Sequence, residues 1–193
     1  AIAAGTWHSL SLKSDGTLAA WGRNDDGQCD VPDGNNYTAI AAGYNHSLAL
    51  KSDGTLIAWG DNGYGQCYVP DGNNFISIAA GYEYSLALKS DGRLIAWGGD
   101  NSYSECNVPA YKNYTSIAAG GYHSLAITRP ISGDLDDNGQ VDFRDYAIFG
   151  AAWESQPGQQ NWNPACEMSE PKDNIVNLPD LAKFSENWLV GIE

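Results

Sequence analysis

The chain has 193 residues, which is room for one or two domains. It carries 24 Asp and Glu against 10 Lys and Arg, a formal net charge of −14. That balance excludes a general nucleic-acid binder, because phosphate contacts need a basic footprint. Hydrophobic residues make up 42%, enough for a core, and charged residues only 18%, too few for a disordered polyelectrolyte.

With 22 Gly, 7 Trp and 11 Tyr, the composition favours short strands and turns over long helices. No stretch approaches the roughly 18 apolar residues of a membrane span, so no membrane insertion is expected. No charged-then-apolar start opens the chain, and no signal peptide is expected within it. The acid is unevenly placed. Residues 1–128 hold 12 acidic and 6 basic side chains, whereas residues 129–193 hold 12 and 4. That shift and Pro130 predict a boundary: a first domain over 1–128, a linker over 129–132 and a second domain over 133–193.

The first part is a repeat. Ala1-Ile-Ala-Ala-Gly5 returns at Ala39–Gly43, Ser77–Gly81 and Ser116–Gly120, with periods of 38, 38 and 39 residues. Spacings of this length mark arrays or propeller blades. Each of the first three units continues through His-Ser-Leu-x-Leu-Lys-Ser-Asp-Gly to Ala-Trp-Gly, with Tyr84 replacing the histidine in the third. Leu10 and Leu12 alternate with Ser9 and Ser11, placing the leucines on one strand face. Asp15-Gly16, Asp53-Gly54 and Asp91-Gly92 lie between apolar runs, a strong hairpin signal. A polar loop and a Cys-x-Val-Pro segment complete the unit, at Cys29, Cys67 and Cys106. Proline there suits a strand end or edge, giving four expected strands per unit, the content of one propeller blade.

These motifs resemble the regulator-of-chromosome-condensation repeat in its bacterial tandem form, over residues 1–127. The resemblance implies a propeller that binds proteins through loops on one face. Members of that family close seven blades. One relative is a guanine-nucleotide exchange factor and another inhibits β-lactamase, but fold alone transfers neither activity. Here the fourth unit breaks off at Thr128-Arg129-Pro130, leaving about three and a half blades. Open strand edges are expected, either capped within one chain or a fragment, or paired between two chains as a homo-oligomer.

The second part opens on an acidic loop. Calcium loops place oxygen ligands at positions 1, 3, 5, 7, 9 and 12, with Gly at 6. Asp134, Asp136, Asn138, Gln140, Asp142 and Asp145 fill those positions in order, and Gly139 stands at the turn. A helix with Tyr146, Phe149 and Trp153 is expected to follow. A second copy lies 35 residues on, where Asp180, Phe184 and Trp188 match Asp145, Phe149 and Trp153. Its loop is irregular. Asn177 and Asp173 fall at ligand positions, Pro171 and Asn174 break the pattern, and an insertion of two residues makes Glu167 the first ligand.

Two such loop-helix units, over residues 133–190, resemble a type I dockerin. That resemblance implies Ca2+ as cofactor and docking to a cohesin-like partner. Phe143-Arg144 and Leu178-Pro179 occupy the positions that select cohesin, where small hydroxyl residues are usual. The resemblance is therefore nearer to the tails of bacterial surface proteins outside the cellulosome. The expected fold class is mainly β with a small α domain, a partial β-propeller followed by an EF-hand-like calcium module.

His8, His46 and His123 each precede a serine, but a catalytic pair occurs once per site and this pair recurs in every unit. A structural histidine bonding the backbone of its own blade is the expectation, and the protein is read as no enzyme. Cys29, Cys67 and Cys106 read as buried small hydrophobes, since equivalent positions in neighbouring blades stand too far apart for a disulfide. Cys166 packs in the second domain or pairs between chains.

Loop positions that vary between units are the binding candidates: Trp7, Tyr44, Tyr82 and Tyr122 before the histidine position, and Tyr64 and Tyr103 after Trp-Gly. Exposed aromatics among acids suit a protein or glycan surface, with a basic or neutral partner. The expectation is a secreted or cell-surface bacterial binding protein. The alternatives are a self-assembling structural subunit and the accessory region of a larger extracellular enzyme.

Overall fold

The computed structural model describes residues 1–110, 113–129, 133–135, 141–153, 155, 157, 159–160, 163–166, 168 and 178–186. The chain divides into two compact units, Ala1–Thr128 and Arg129–Glu193.

The first unit is built from short antiparallel strands. The first repeat forms β1 (Ile2–Ala4), β2 (His8–Leu12) and β3 (Leu18–Gly22). The second forms β4 (Tyr37–Ala42), β5 (His46–Lys51) and β6 (Leu56–Gly60), and the third β7 (Phe75–Ala80), β8 (Tyr84–Lys89) and β9 (Leu94–Gly98). The fourth has β10 (Tyr114–Ala119) and β11 (Ser124–Thr128). Each repeat is its own meander, in the order β1-β2-β3, β4-β5-β6, β7-β8-β9 and β10-β11.

The hairpins form where Asp-Gly stands. Gly54 takes a φ of +79°, the left-handed residue that completes a short hairpin loop, and its N–H donates to the Lys51 carbonyl at 3.0 Å. A side chain there would collide with the Asn73 carbonyl, 2.1 Å from an ideal Cβ. Asp53 fixes the turn from the side by accepting from the Thr55 N–H and hydroxyl, at 2.9 and 2.7 Å.

The fourth expected strand does not form. The Cys-x-Val-Pro segments lie in loops without ladder pairing, so these repeats are three-stranded. Local bonds satisfy the backbone instead. The Asn24 side chain accepts from Cys29 N–H at 2.7 Å, Val31 N–H donates to the Cys29 carbonyl at 2.9 Å, and Pro32 has no N–H to offer a ladder.

The core lies between repeats. One cluster joins Leu18 of the first repeat to Tyr37, Ala49, Ile57 and Trp59 of the second. The next joins Leu50 and Leu56 to Phe75, Ala87, Ile95 and Trp97. Leucines of one sheet back onto Ala, Ile and Trp of the next, as the period-two alternation requires.

The second unit has α1 (Phe143–Ala152), a short 3-10 turn at Pro164–Cys166, and α2 (Leu178–Ser185). Val141, Phe149, Ala152, Cys166 and Phe184 are its buried core. Phe149 and Phe184, equivalent positions in the two loop-helix copies, stack with centroids 5.1 Å apart. Tyr146 differs from its place in the helical pattern. It is largely exposed, because Val141 and Phe149 already occupy the interior.

Candidate functional site

The repeated His-Ser pairs work between sheets, not within them. His8 Nε2 lies 2.9 Å from Ser47 Oγ of the next repeat, and His46 Nε2 lies 3.1 Å from Ser85 Oγ. The expected bond to the backbone of the histidine's own blade is therefore corrected. Each serine hydroxyl donates its single proton onward, Ser47 to the Gln28 carbonyl and Ser85 to the Gln66 carbonyl, both at 2.9 Å. With that proton committed, the imidazole must donate to the serine oxygen. An imidazole donating from Nε2 cannot also accept a proton there, so these pairs are latches and not base-activated nucleophiles.

Burial holds the latch neutral. Desolvation, with a smaller contribution from His8, lowers the His46 pKa to about 4. Each ring rests on the glycine of its own Ala-Ala-Gly motif. A Cβ on Gly43 would sit 2.3 Å from His46 Cε1, and one on Gly5 2.6 Å from His8 Cε1. Tyr84 takes the same seat against Gly81, and its hydroxyl donates to the His123 carbonyl at 2.5 Å.

The cysteines are half-buried loop fasteners and not buried hydrophobes. Cys29, Cys67 and Cys106 point their thiols at the carbonyls of Arg23, Asp61 and Gly98, each at 3.2 Å. Burial pushes the Cys67 and Cys106 thiols up to about 11, so they are poor nucleophiles. Cys166 is a free thiol packed in the second core.

The aromatic candidates gather on the loop face. Tyr44 and Tyr82 stack at 4.0 Å, Tyr82 and Tyr122 at 5.1 Å, and Tyr103 tilts against Tyr122 at 5.0 Å. Tyr44 also bonds to the Trp7 side chain. Four of the six predicted residues thus form one ladder with Trp7 at its end. Tyr64 is exposed, and its N–H is held by the Gln66 side chain at 2.9 Å. Beneath the ladder lies a concavity of about 280 Å³ lined by Gly5, Gly43, Gly81, Gly120 and neighbouring backbone. Backbone bonds lace its rim, from Thr6 N–H to Gly43 at 3.3 Å, Tyr44 to Tyr82 at 3.2 Å and Tyr82 to Gly121 at 3.0 Å.

The ladder stands in an acidic field. Burial first, and then the charges of Asp61, Asp100 and Glu105, raise the Glu83 carboxyl above its usual range. The hydrogen bond that the Tyr82 hydroxyl donates to Tyr44, then burial and nearby charge, push the Tyr82 hydroxyl up to about 12.

In the second unit, three ligand candidates of the first loop are described. Asp145 is fully buried. It accepts from Leu135 N–H at 2.6 Å and, in a capping box, from Asp142 N–H at 2.8 Å, while Asp142 accepts from Arg144 N–H at 2.7 Å. Asp134 lies at the loop's start. In the second loop Asp180 is equally buried and accepts from Met168 N–H at 2.7 Å. Asp136, Asn138, Gln140, Glu167, Asp173 and Asn177 lie outside the described residues. Among the described residues no three His, Cys, Asp or Glu side chains converge on a metal position.

Residues 1–28, 37–66 and 75–105 match the family described as Regulator of chromosome condensation (RCC1) repeat. The first unit thus has three of its four repeats similar to RCC1 repeats. Its fold is similar to that of Prp20p from Saccharomyces cerevisiae, at 26% identity and a TM-score of 0.59, covering 67% of this chain and 43% of that one. A second structure, of Kap60 bound to yeast RCC1 (Prp20), gives 26% identity and 0.57, covering 66% and 41%. The ectodomain of the Physcomitrella patens receptor kinase CR4 gives 26% and 0.54, covering 65% and 37%. The chain thus spans less than half the length of these structures. Among curated proteins, none matches this chain.

Proposed function

We propose that this chain is a non-enzymatic binding and assembly protein of the bacterial cell exterior. Its RCC1-like array presents the tyrosine ladder to a protein partner, and residues 133–193 form a Ca2+-dependent, dockerin-like attachment module. The observation that carries the reading is the continuous run of ring contacts through Tyr44, Tyr82, Tyr122 and Tyr103, the first three stacked and the last tilted. Rigid aromatics contribute contact area at low entropic cost. The carboxylates of Glu83, Asp61, Asp100 and Glu105 beside them favour a basic partner. The study of Prp20p describes binding to Gsp1p and histones, and Prp20 is also seen with Kap60. That precedent supports a protein partner over a glycan.

The tail reading rests on an internal parallel. Leu135 N–H on Asp145 and Met168 N–H on Asp180 are the same bond in two copies, at 2.6 and 2.7 Å. Leu135 follows Asp134, the first ligand position, and Met168 follows Glu167. The parallel supports Glu167 as first ligand of a second loop lengthened by two residues. The donors are all oxygen, as a hard cation such as Ca2+ requires. In the first loop Asp134, Asp136, Asn138, Gln140, Asp142 and Asp145 would hold the ion, which would cross-link the loop to α1.

The test is fluorescence anisotropy of a labelled decalysine peptide against residues 1–193. Saturable binding that weakens with salt, and falls roughly tenfold or more in Tyr82→Ala/Tyr122→Ala, is expected. Equal binding by the double variant would sink the ladder as the interaction surface.

A further inference from the structure

Among the described residues the fourth sheet has two strands where its neighbours have three, and those neighbours define what fits beside it. In the second and third repeats a third strand pairs with the middle one: β6 on β5 and β9 on β8. Both strands read Leu-Ile-Ala-Trp-Gly. Their Ile and Trp fill the gap between sheets. Ile57 and Trp59 pack with Leu18, Val31, Tyr37 and Ala49. Each indole then donates to the preceding loop, Trp59 to the Gln28 carbonyl and Trp97 to the Gln66 carbonyl, both at 3.0 Å.

The equivalents of that lining at the last sheet are Leu94, Val108, Tyr114 and Ala126, and they surround an open cavity of about 350 Å³. The Glu105 carbonyl, equivalent to those of Gln28 and Gln66, accepts from Ser124 Oγ at 2.8 Å and, among the described residues, from no indole. β11 pairs with β10 alone among the described strands. Ala126 is exposed, where its equivalents Ala49 and Ala87 are fully buried.

We propose that this edge takes up an extended partner segment of the third-strand type, aliphatic-aliphatic-Ala-Trp-Gly, antiparallel to β11. By the register of β5 with β6, its Gly would face His123, its Ala Leu125 and its first aliphatic residue Ile127. Main-chain bonds to β11 give affinity, and the Ile and Trp seats give specificity. The seat continues an interface already repeated twice in this molecule, which is why the occupant can be specified. A second copy of the chain fits less well. Its exposed third strand, β3, has Ala19 where Ile57 and Ile95 fill the gap, and its β6 and β9 are enclosed between sheets. Tyr103 and Tyr122 of the ladder also line this cavity, so the two surfaces adjoin, but the inference rests on the strand edge and not on the function proposed for the ladder or the tail.

The experiment adds the synthetic peptide Thr-Leu-Ile-Ala-Trp-Gly-Asp to residues 1–193. Affinity is followed by calorimetry and the strand by amide exchange. One-to-one binding with slowed exchange at residues 124–128 is expected. A Trp→Ala peptide should bind roughly tenfold or more weakly. Ala126→Glu, which fills the seat, should abolish binding while β5 and β8 keep their slow exchange. Absence of protection at 124–128, or equal affinity of the Trp→Ala peptide, overturns the proposal. So does a concentration-dependent dimer abolished by Ala126→Glu, which would make a second copy the occupant.

Discussion

The His46 imidazole donates across a sheet boundary to Ser85 Oγ at 3.1 Å, and Ser85 passes its own proton to the Gln66 carbonyl at 2.9 Å. The two bonds tie the second repeat, the third repeat and the loop between them. Removing the middle member leaves the buried His46 N–H without its acceptor and the Gln66 carbonyl with the Trp97 indole as its remaining side-chain donor. Ser85→Ala should therefore cost about 1–3 kcal/mol in urea unfolding. A loss below a few tenths would show that the latch contributes nothing to stability.

The same histidine makes the array acid-sensitive. Its folded pKa, about 4, lies below the unfolded value near 6.5, so the folded state excludes a proton that the unfolded state binds. Stability from this site is complete above pH 6.5 and falls as pH drops toward 4, by about 1.4 kcal/mol per unit. His46→Tyr, which copies Tyr84 at the third repeat, should flatten the urea midpoint over that window. An unchanged slope in the variant would place the acid sensitivity elsewhere.

The glycine of Ala-Ala-Gly is a packing requirement at the latch. A methyl at Gly43 would meet His46 Cε1 at 2.3 Å and the Gly81 carbonyl at 2.6 Å. Gly43→Ala should destabilise by about 1–3 kcal/mol, the range for overpacking. Gly121→Ala, at a position with nothing near its Cβ, is the control and should change the thermal midpoint little.

Calcium should act on the second unit alone. An ion that binds the folded loop and not the unfolded chain adds about 2.7 kcal/mol at a hundredfold excess over its Kd. Amide exchange over residues 141–152 should slow in Ca2+ and quicken in chelator, with residues 46–60 unaffected. Asp134→Asn should weaken that calcium response. Exchange over 141–152 that ignores chelation would remove Ca2+ from the reading.

Much of this was legible in residue order. The repeat period, the Asp-Gly hairpins and the alternation of Leu10 and Leu12 are local signals, and each strand they imply is present except the fourth. That strand failed because Asn24 and Pro32 satisfy or remove backbone partners within the loop, a competition that strand propensity does not register. The tyrosines were found as variable loop positions. Their assembly into one ladder was not visible, because Tyr44 and Tyr82 stand one place earlier in their loops than Tyr122 does in its own.

The histidines mark the division most clearly. Recurrence at every unit already argued against catalysis, since a repeated residue serves what is repeated, the blade. Which group each imidazole meets depends on how one sheet lies against the next. That placement comes from side chains 38 or 39 residues apart packing across a gap. The seat beside β11 belongs to the same category. Residue order shows that the fourth unit lacks the Lys-Ser-Asp-Gly turn and Ala-Trp-Gly segment of the others, and the packing of Leu94, Tyr114 and Ala126 around the opening specifies the side chains that would fill it.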